Sequence, residues 1–286
     1  MVDSVLHTAR KLEQWDIRAP EMVETESSTI FKVFQGISNA TDVGSVRRRL
    51  DSGFLSTIQT MLSPVHSGQS IKSCLRTLGI LAEVDDVTTS MSVETLQDAW
   101  KNMVSRQDRM LSARYVSFLG VWRPGYTNAI PRVEDVRPIL SSRETLFSTL
   151  SGNAPLRDQM HLTLKDVRVV EVKAMISSCA ISRQRNSLQE SLATATYLSD
   201  LIPVCREVGL DIEIAVQNEV ADVLWDQGEQ TTSIRMLRRL VEQANNKDKG
   251  SDVQKSKVLA TLVRNQVRFP LTETDIIRAT TSPKRA

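Results

Sequence analysis

The residues able to do chemistry are few and far apart. Three cysteines (Cys74, Cys179, Cys205) and three histidines (His7, His66, His161) are scattered along the 286 residues. A metal centre needs His, Cys, Asp or Glu donors at short spacings, and no such grouping occurs. A cysteine nucleophile needs an adjacent base, and no cysteine here has a histidine close by in sequence. An odd, widely spaced set is also no disulfide framework, so each cysteine reads as a small buried apolar residue.

Phosphate chemistry fares no better. Neither the G-x-G-x-x-G nor the G-x-x-x-x-G-K-[ST] cradle is present. The D-F-G and H-R-D triplets of protein kinases are missing, as is a G-x-S-x-G nucleophile elbow. Two basic clusters stand out, Arg47-Arg48-Arg49 and Arg235 with Arg238-Arg239. Acids such as Asp51 and Glu242 lie near them, and no aromatic residues interleave to stack bases. They read as solvated helix faces, with no nucleic-acid binding expected. The tryptophans Trp15, Trp100, Trp122 and Trp225 lie on or near the ends of apolar faces, as inter-helix anchors do. No catalytic, cofactor-binding or metal-ligating residue is assigned.

The elements around these residues are helical. The chain carries 11 glycines and 9 prolines, which fall between apolar stretches of helical length. The clearest helix is expected from Ser92 to Phe118, with Leu96, Trp100, Met103, Met110, Leu111, Tyr115 and Phe118 at three- and four-residue steps. Polar residues from Gln97 to Arg109 line its other side, and Gly120 and Pro124-Gly125 end it. The same logic predicts helices over Val2–Trp15, Ser28–Ile37, Val43–Leu62, Ser70–Val84 and Val133–Leu150. Further ones are predicted over Leu164–Ser182, Asn186–Ile202, Asp211–Trp225, Thr231–Ala244 and Asp252–Val267. Leu162-Thr-Leu, Val167-Arg-Val and Ile212-Glu-Ile-Ala-Val alternate as strands do. Both regions continue at helical steps, and a sheet needs partner strands that the chain does not offer, so helix is the reading.

Asp211 to Ala244 shows how the helices pair. Asp211 is placed to cap one helix, Gly228 supplies a left-handed turn after Leu224-Trp225, and a second helix turns Ile234, Leu237, Leu240, Val241 and Ala244 inward. This is a tetratricopeptide-like hairpin, which cannot bury its own apolar face and must stack on neighbours. The fold class is therefore all-α, an α-solenoid of stacked hairpins with degenerate repeats. Residues 1–268 are expected to form the helical-repeat region, with room for a sub-boundary near 85–92 or 122–131, and 269–286 an irregular or disordered tail.

The net charge of +2 suggests neither nucleic acid nor membrane as a partner. No apolar run approaches the roughly 20 residues that span a bilayer. Met1-Val-Asp-Ser lacks the basic and apolar regions of a signal peptide, so an intracellular setting is expected.

Several blocks resemble a known family. They are Ser105-Arg-Gln-Asp-Arg-Met-Leu through Trp122, Pro131-Arg-Val-Glu-Asp-Val, and Leu140-Ser-Ser-Arg-Glu-Thr-Leu-Phe-Ser-Thr-Leu150. To these add Ser191 to Ser199, Glu207 to Glu213, Val223-Leu-Trp-Asp-Gln-Gly-Glu229 with Ser233 to Leu237, and Leu6-His-Thr-Ala-Arg with Gln14-Trp15-Asp16. Together, from about residue 1 to 245, they resemble the FAT region of ATM-class phosphatidylinositol 3-kinase-related kinases, the fungal telomere-maintenance kinases. The resemblance implies a large nuclear serine/threonine kinase that answers DNA double-strand breaks. Its FAT helices clasp the kinase domain, adjoin neighbouring repeats and contribute to a homodimer. ATP and magnesium would be bound in the parent's kinase domain, and no cofactor is expected in this chain, which then looks like a fragment. Two rival readings differ in class: a stand-alone tetratricopeptide-like adaptor that binds a peptide, and a small helical enzyme with a site assembled only by the fold.

Overall fold

In the computed structural model the described residues are 2–19, 25–62, 68–111, 133–246, 258–261 and 263. The expected helix beyond Leu111, the anchor Trp122, His66, most of the expected helix Asp252–Val267 and the tail 269–286 lie outside them. Among the described residues up to Asn246 eleven helices follow one another, and no strand occurs among the described residues. They are α1 (Val2–Lys11), α2 (Glu26–Ser38), α3 (Val43–Leu62), α4 (Gly68–Thr88), α5 (Val93–Leu111), α6 (Val133–Gly152), α7 (Ala154–Gln159), α8 (Leu164–Gln184), α9 (Leu188–Glu207), α10 (Glu213–Asp226) and α11 (Gln230–Asn246). The all-α expectation holds, including at the two alternating stretches, which enter α8 and α10.

Five helix ends share one device. Glu13, His161, Asn186, Gly209 and Gly228 have positive φ, between 53° and 89°. After each, the next amide donates five residues back, as in Gln14 to Ala9 (2.9 Å), Leu162 to Arg157 (3.0 Å), Ser187 to Ser182 (2.8 Å), Leu210 to Cys205 (2.8 Å) and Glu229 to Leu224 (2.9 Å). This left-handed cap satisfies carbonyls that a helix end otherwise leaves bare. The Gly228 turn is thus confirmed, and Asp211 does accept from the Glu213 amide (3.2 Å).

Four sequence-predicted ends are corrected, one of them that of α4, which runs past Val84 to Thr88. α1 stops at Lys11 rather than Trp15, because Glu13 takes the left-handed cap. α2 runs through Gly36 to Ser38, since Phe34 and Ile37 are fully buried on either side of the glycine. α9 passes Pro203 and ends at Glu207. Proline keeps a helical φ but forfeits one amide bond and crowds the carbonyl four residues back, and burial of Leu201 and Cys205 across it offsets that cost.

The chain divides into two compact units, Met1–Ala174 and Met175–Ala286, with the division inside α8. In the first, consecutive helices pack as pairs, and α2, α4 and α6 also contact one another, with α1 against α2 and α6. Their shared core includes Phe34, Leu50, Val84, Met103, Phe147 and Val167. Trp100 packs edge-on against Phe147 and Trp15 tilts onto Phe31, so both act as the packing anchors expected. In the second unit α10 packs on both α9 and α11 around Ile214, Ala221, Leu237 and Leu240. Ser233, sealed in this hairpin, donates to the Ala221 carbonyl (2.6 Å).

Candidate functional site

What the packing positions is a set of buried and half-buried arginines. In the first unit Arg143 on α6, 2% exposed, meets Glu83 on α4 through two bonds (2.8 and 2.6 Å). It also donates to the Gln107 side chain and the Met103 carbonyl of α5. One guanidinium therefore joins three helices, and its donors find acceptors at nearly every direction, the condition for a buried pair to be tolerated. Removing one partner of such a pair costs about 3–5 kcal/mol, because the other charge is left buried alone. Asn153 does a similar job with a neutral amide. Its Nδ2 donates to the Ile37 and Ala40 carbonyls (2.8 and 2.9 Å), while its Oδ1 caps α7 at Leu156.

In the second unit Arg183 on α8 gathers three acids of α10: Glu219 (3.3 Å), Asp222 (3.1 Å) and Asp226 (3.5 Å). Cys179 lies one turn earlier, and its thiol donates to the Ser191 carbonyl at 3.6 Å. Burial, with the Glu219 carboxylate second, pushes that thiol up to about 12, so it stays protonated and inert at neutral pH. All three cysteines are buried and none is in a disulfide, as their spacing suggested.

A cavity of about 180 Å³ opens in the first unit, between α1, α2, α4 and α6. Its walls include His7, Arg10, Glu26, Ser27, Arg76 and Pro138. Arg76 grips Glu26 with Nε (2.6 Å) and Nη2, and Ser73 adds its hydroxyl (2.5 Å). Arg10 is 3% exposed and donates to the hydroxyls of Ser142 (2.6 Å) and Ser141 (3.2 Å). Its guanidinium also lies 5.6 Å from the Phe34 ring centroid and 3.4 Å from His7 Nδ1. Burial lowers the Arg10 pKa to about 10. Burial first, then Arg10, Lys11 and Arg137, lowers that of His7 to about 4, so the ring is neutral at pH 7.

The arginines that stood out in the sequence are elsewhere. Arg47, Arg48 and Arg49 are exposed on α3, where Arg47 pairs with Asp51 (3.3 Å) and Asp85 (3.1 Å). Arg235 and Arg239 are exposed on α11 in the other unit. Arg10, Arg143 and Arg183 did not stand out, although the first two had a signal. Arg143 occupies the apolar stripe Ile139, Leu146, Leu150, and Arg10 sits one turn after buried Leu6. A cation at a core position of the helical period marks a buried tie. Among the described residues no three His, Cys, Asp or Glu side chains stand close enough to hold a metal ion, and no helix is long and apolar enough to cross a membrane.

The arrangement defines a class before any particular relative: a stack of paired helices, an α-solenoid segment whose polar groups join helices. No protein-family model matches the chain. It is 31% identical over 261 residues to the serine/threonine-protein kinase tel1 of Aspergillus oryzae, covering 91% of this chain. The solved FAT and kinase domain of CtTel1 superposes with a TM-score of 0.81 at 30% identity, covering 98% of this chain and 18% of that one. The complete CtTel1 dimer with C2 symmetry gives 0.83 at 30% identity, over 97% of this chain and 10% of that one. The ATM-class resemblance therefore stands: along nearly its whole length this chain is similar to one helical segment of the Tel1 kinases. It spans 8% of the length of the curated relative it matches.

Proposed function

We propose that this chain is a regulatory and scaffold segment of an ATM-like serine/threonine kinase, non-catalytic by itself, acting in the nucleus in DNA double-strand-break signalling and telomere maintenance. The observation that supports this most is joint agreement in sequence and fold, 30% identity with TM-scores of 0.81 and 0.83 over at least 97% of the chain. In this reading its partners are the parent's kinase domain and the adjoining helical repeats, within a homodimer. ATP and magnesium belong to the parent's catalytic residues. Ties such as Arg143–Glu83 let helices move as packed pairs rather than bend singly, so a shift at one hairpin is passed to the next.

The test is complementation. A Tel1 kinase lacking the matching segment is produced with and without this chain, and ATP-dependent phosphorylation of a protein substrate is followed. Co-purification and regained phosphorylation are expected, with no phosphorylation by this chain alone. Neither co-purification nor regained activity would overturn the scaffold reading, and activity of the isolated chain would overturn the non-catalytic one.

A further inference from the structure

The cavity beside Arg10 has a charge balance that the scaffold reading does not use. No ion pair joins Arg10 to a carboxylate among the described residues. Its close partners are two hydroxyls, an imidazole and a phenyl ring, all neutral at pH 7. A buried cation served only by neutral groups is costly, and proteins ordinarily meet that cost with a counter-charge. Glu26 and Glu144 act on it at longer range, and Glu26 is already held by Arg76 and Ser73.

Not all of the Arg10 donors are used. A guanidinium has five N–H groups, and Arg10 spends three of them. Its Nε is buried with no acceptor among the described residues. Because the guanidinium only donates, the His7 Nδ1 facing it accepts, and the neutral ring keeps its proton on Nε2. Arg10 and Arg76 set against Glu26 leave the wall one positive charge in excess. At about 180 Å³ the cavity is smaller than the roughly 300–1,000 Å³ of drug-sized ligand sites, so a nucleotide does not fit but one tetrahedral anion does.

We propose that this cavity binds a single phosphate-type oxyanion, with Arg10 as its principal ligand and His7 and Arg76 flanking it. The oxyanion is either free phosphate or the phosphate of a modified serine. This inference is independent of the kinase reading, since it rests on the cavity alone.

Calorimetric titration of the intact 286-residue chain with inorganic phosphate, at pH 7 and fixed ionic strength, tests it. One saturable site is expected, with a rise in melting temperature that chloride does not produce. Arg10→Met should weaken binding about tenfold or more, because it removes the charge-assisted bonds. Ser27→Asp, which puts a carboxylate on the cavity wall and leaves Arg10 in place, should do the same, and it carries the test if Arg10→Met fails to fold. A parallel titration with O-phosphoserine separates the sources. Binding of both points to a carried phosphate, and binding of phosphate alone points to the free ion. No saturable binding by the wild-type chain up to tens of millimolar, or undiminished binding by Ser27→Asp, would overturn the proposal.

Discussion

His7 shows how one half-buried side chain makes stability depend on pH. Burial, the cations Arg10 and Lys11 on its own helix, and Arg137 on α6 all disfavour the charged ring, while Glu26 on α2 opposes them weakly. Its pKa is lowered from 6.5 to about 4 on folding. Between those values the unfolded chain binds more protons than the folded one, so folding weakens as pH falls. Urea midpoints are therefore expected to be level above about pH 6.5, to drop down to about pH 4, and to have no further His7 contribution below that. His7→Gln should flatten that part of the profile. An unchanged slope in the variant would place the pH dependence elsewhere. The buried arginines act by the same physics, since each is held where a charge is expensive and geometry alone makes it tolerable.

The helices are delimited by the recurring left-handed cap more than by proline. Only two of its five positions, Gly209 and Gly228, carry the residue that accepts positive φ without cost. At Gly228, where φ is 89° and an added Cβ meets open space, Ala should lower stability by about 1 kcal/mol through backbone strain alone. At His161, exposed with φ 54°, Gly should raise it by about 0.5 kcal/mol by releasing the same strain, less the entropy cost of glycine. Chemical denaturation of both variants checks the pair. Equal effects of the same sign would refute the cap assignment. This device also explains why the helix ends were only partly legible. Gly228 was visible in the sequence and Asn186 is a residue type that tolerates the left-handed region, whereas Glu13 and His161 carry little such mark.

The first unit leaves apolar side chains in water on one hairpin. Leu55, Ile58 and Leu62 of α3 and Ile71 and Leu75 of α4 are all at least 41% exposed. Clustered apolar surface of this kind favours association over a monodisperse monomer. The isolated chain is therefore expected to self-associate with rising concentration in light scattering. Leu55→Lys combined with Leu75→Glu should shift the distribution toward monomer. A wild-type chain that stays monomeric throughout would count against a sticky α3–α4 face.

Periodicity and composition by themselves determined the all-helical class, the hairpin around Gly228 and the burial of the cysteines. They did so because a 3.6-residue apolar repeat and turn chemistry are local properties of the chain. The resemblance to ATM-class kinases was also carried by the residues, since ordered blocks from 1 to 245 preserve it without any coordinates. Only the tertiary structure decided which arginines matter. Arg47 and Arg235, conspicuous in the sequence, face solvent, whereas Arg10, Arg143 and Arg183 are drawn in among helices distant along the chain. The value of a charge depends on its desolvation and on partners as far apart as Glu83 and Arg143, and neither is a local property.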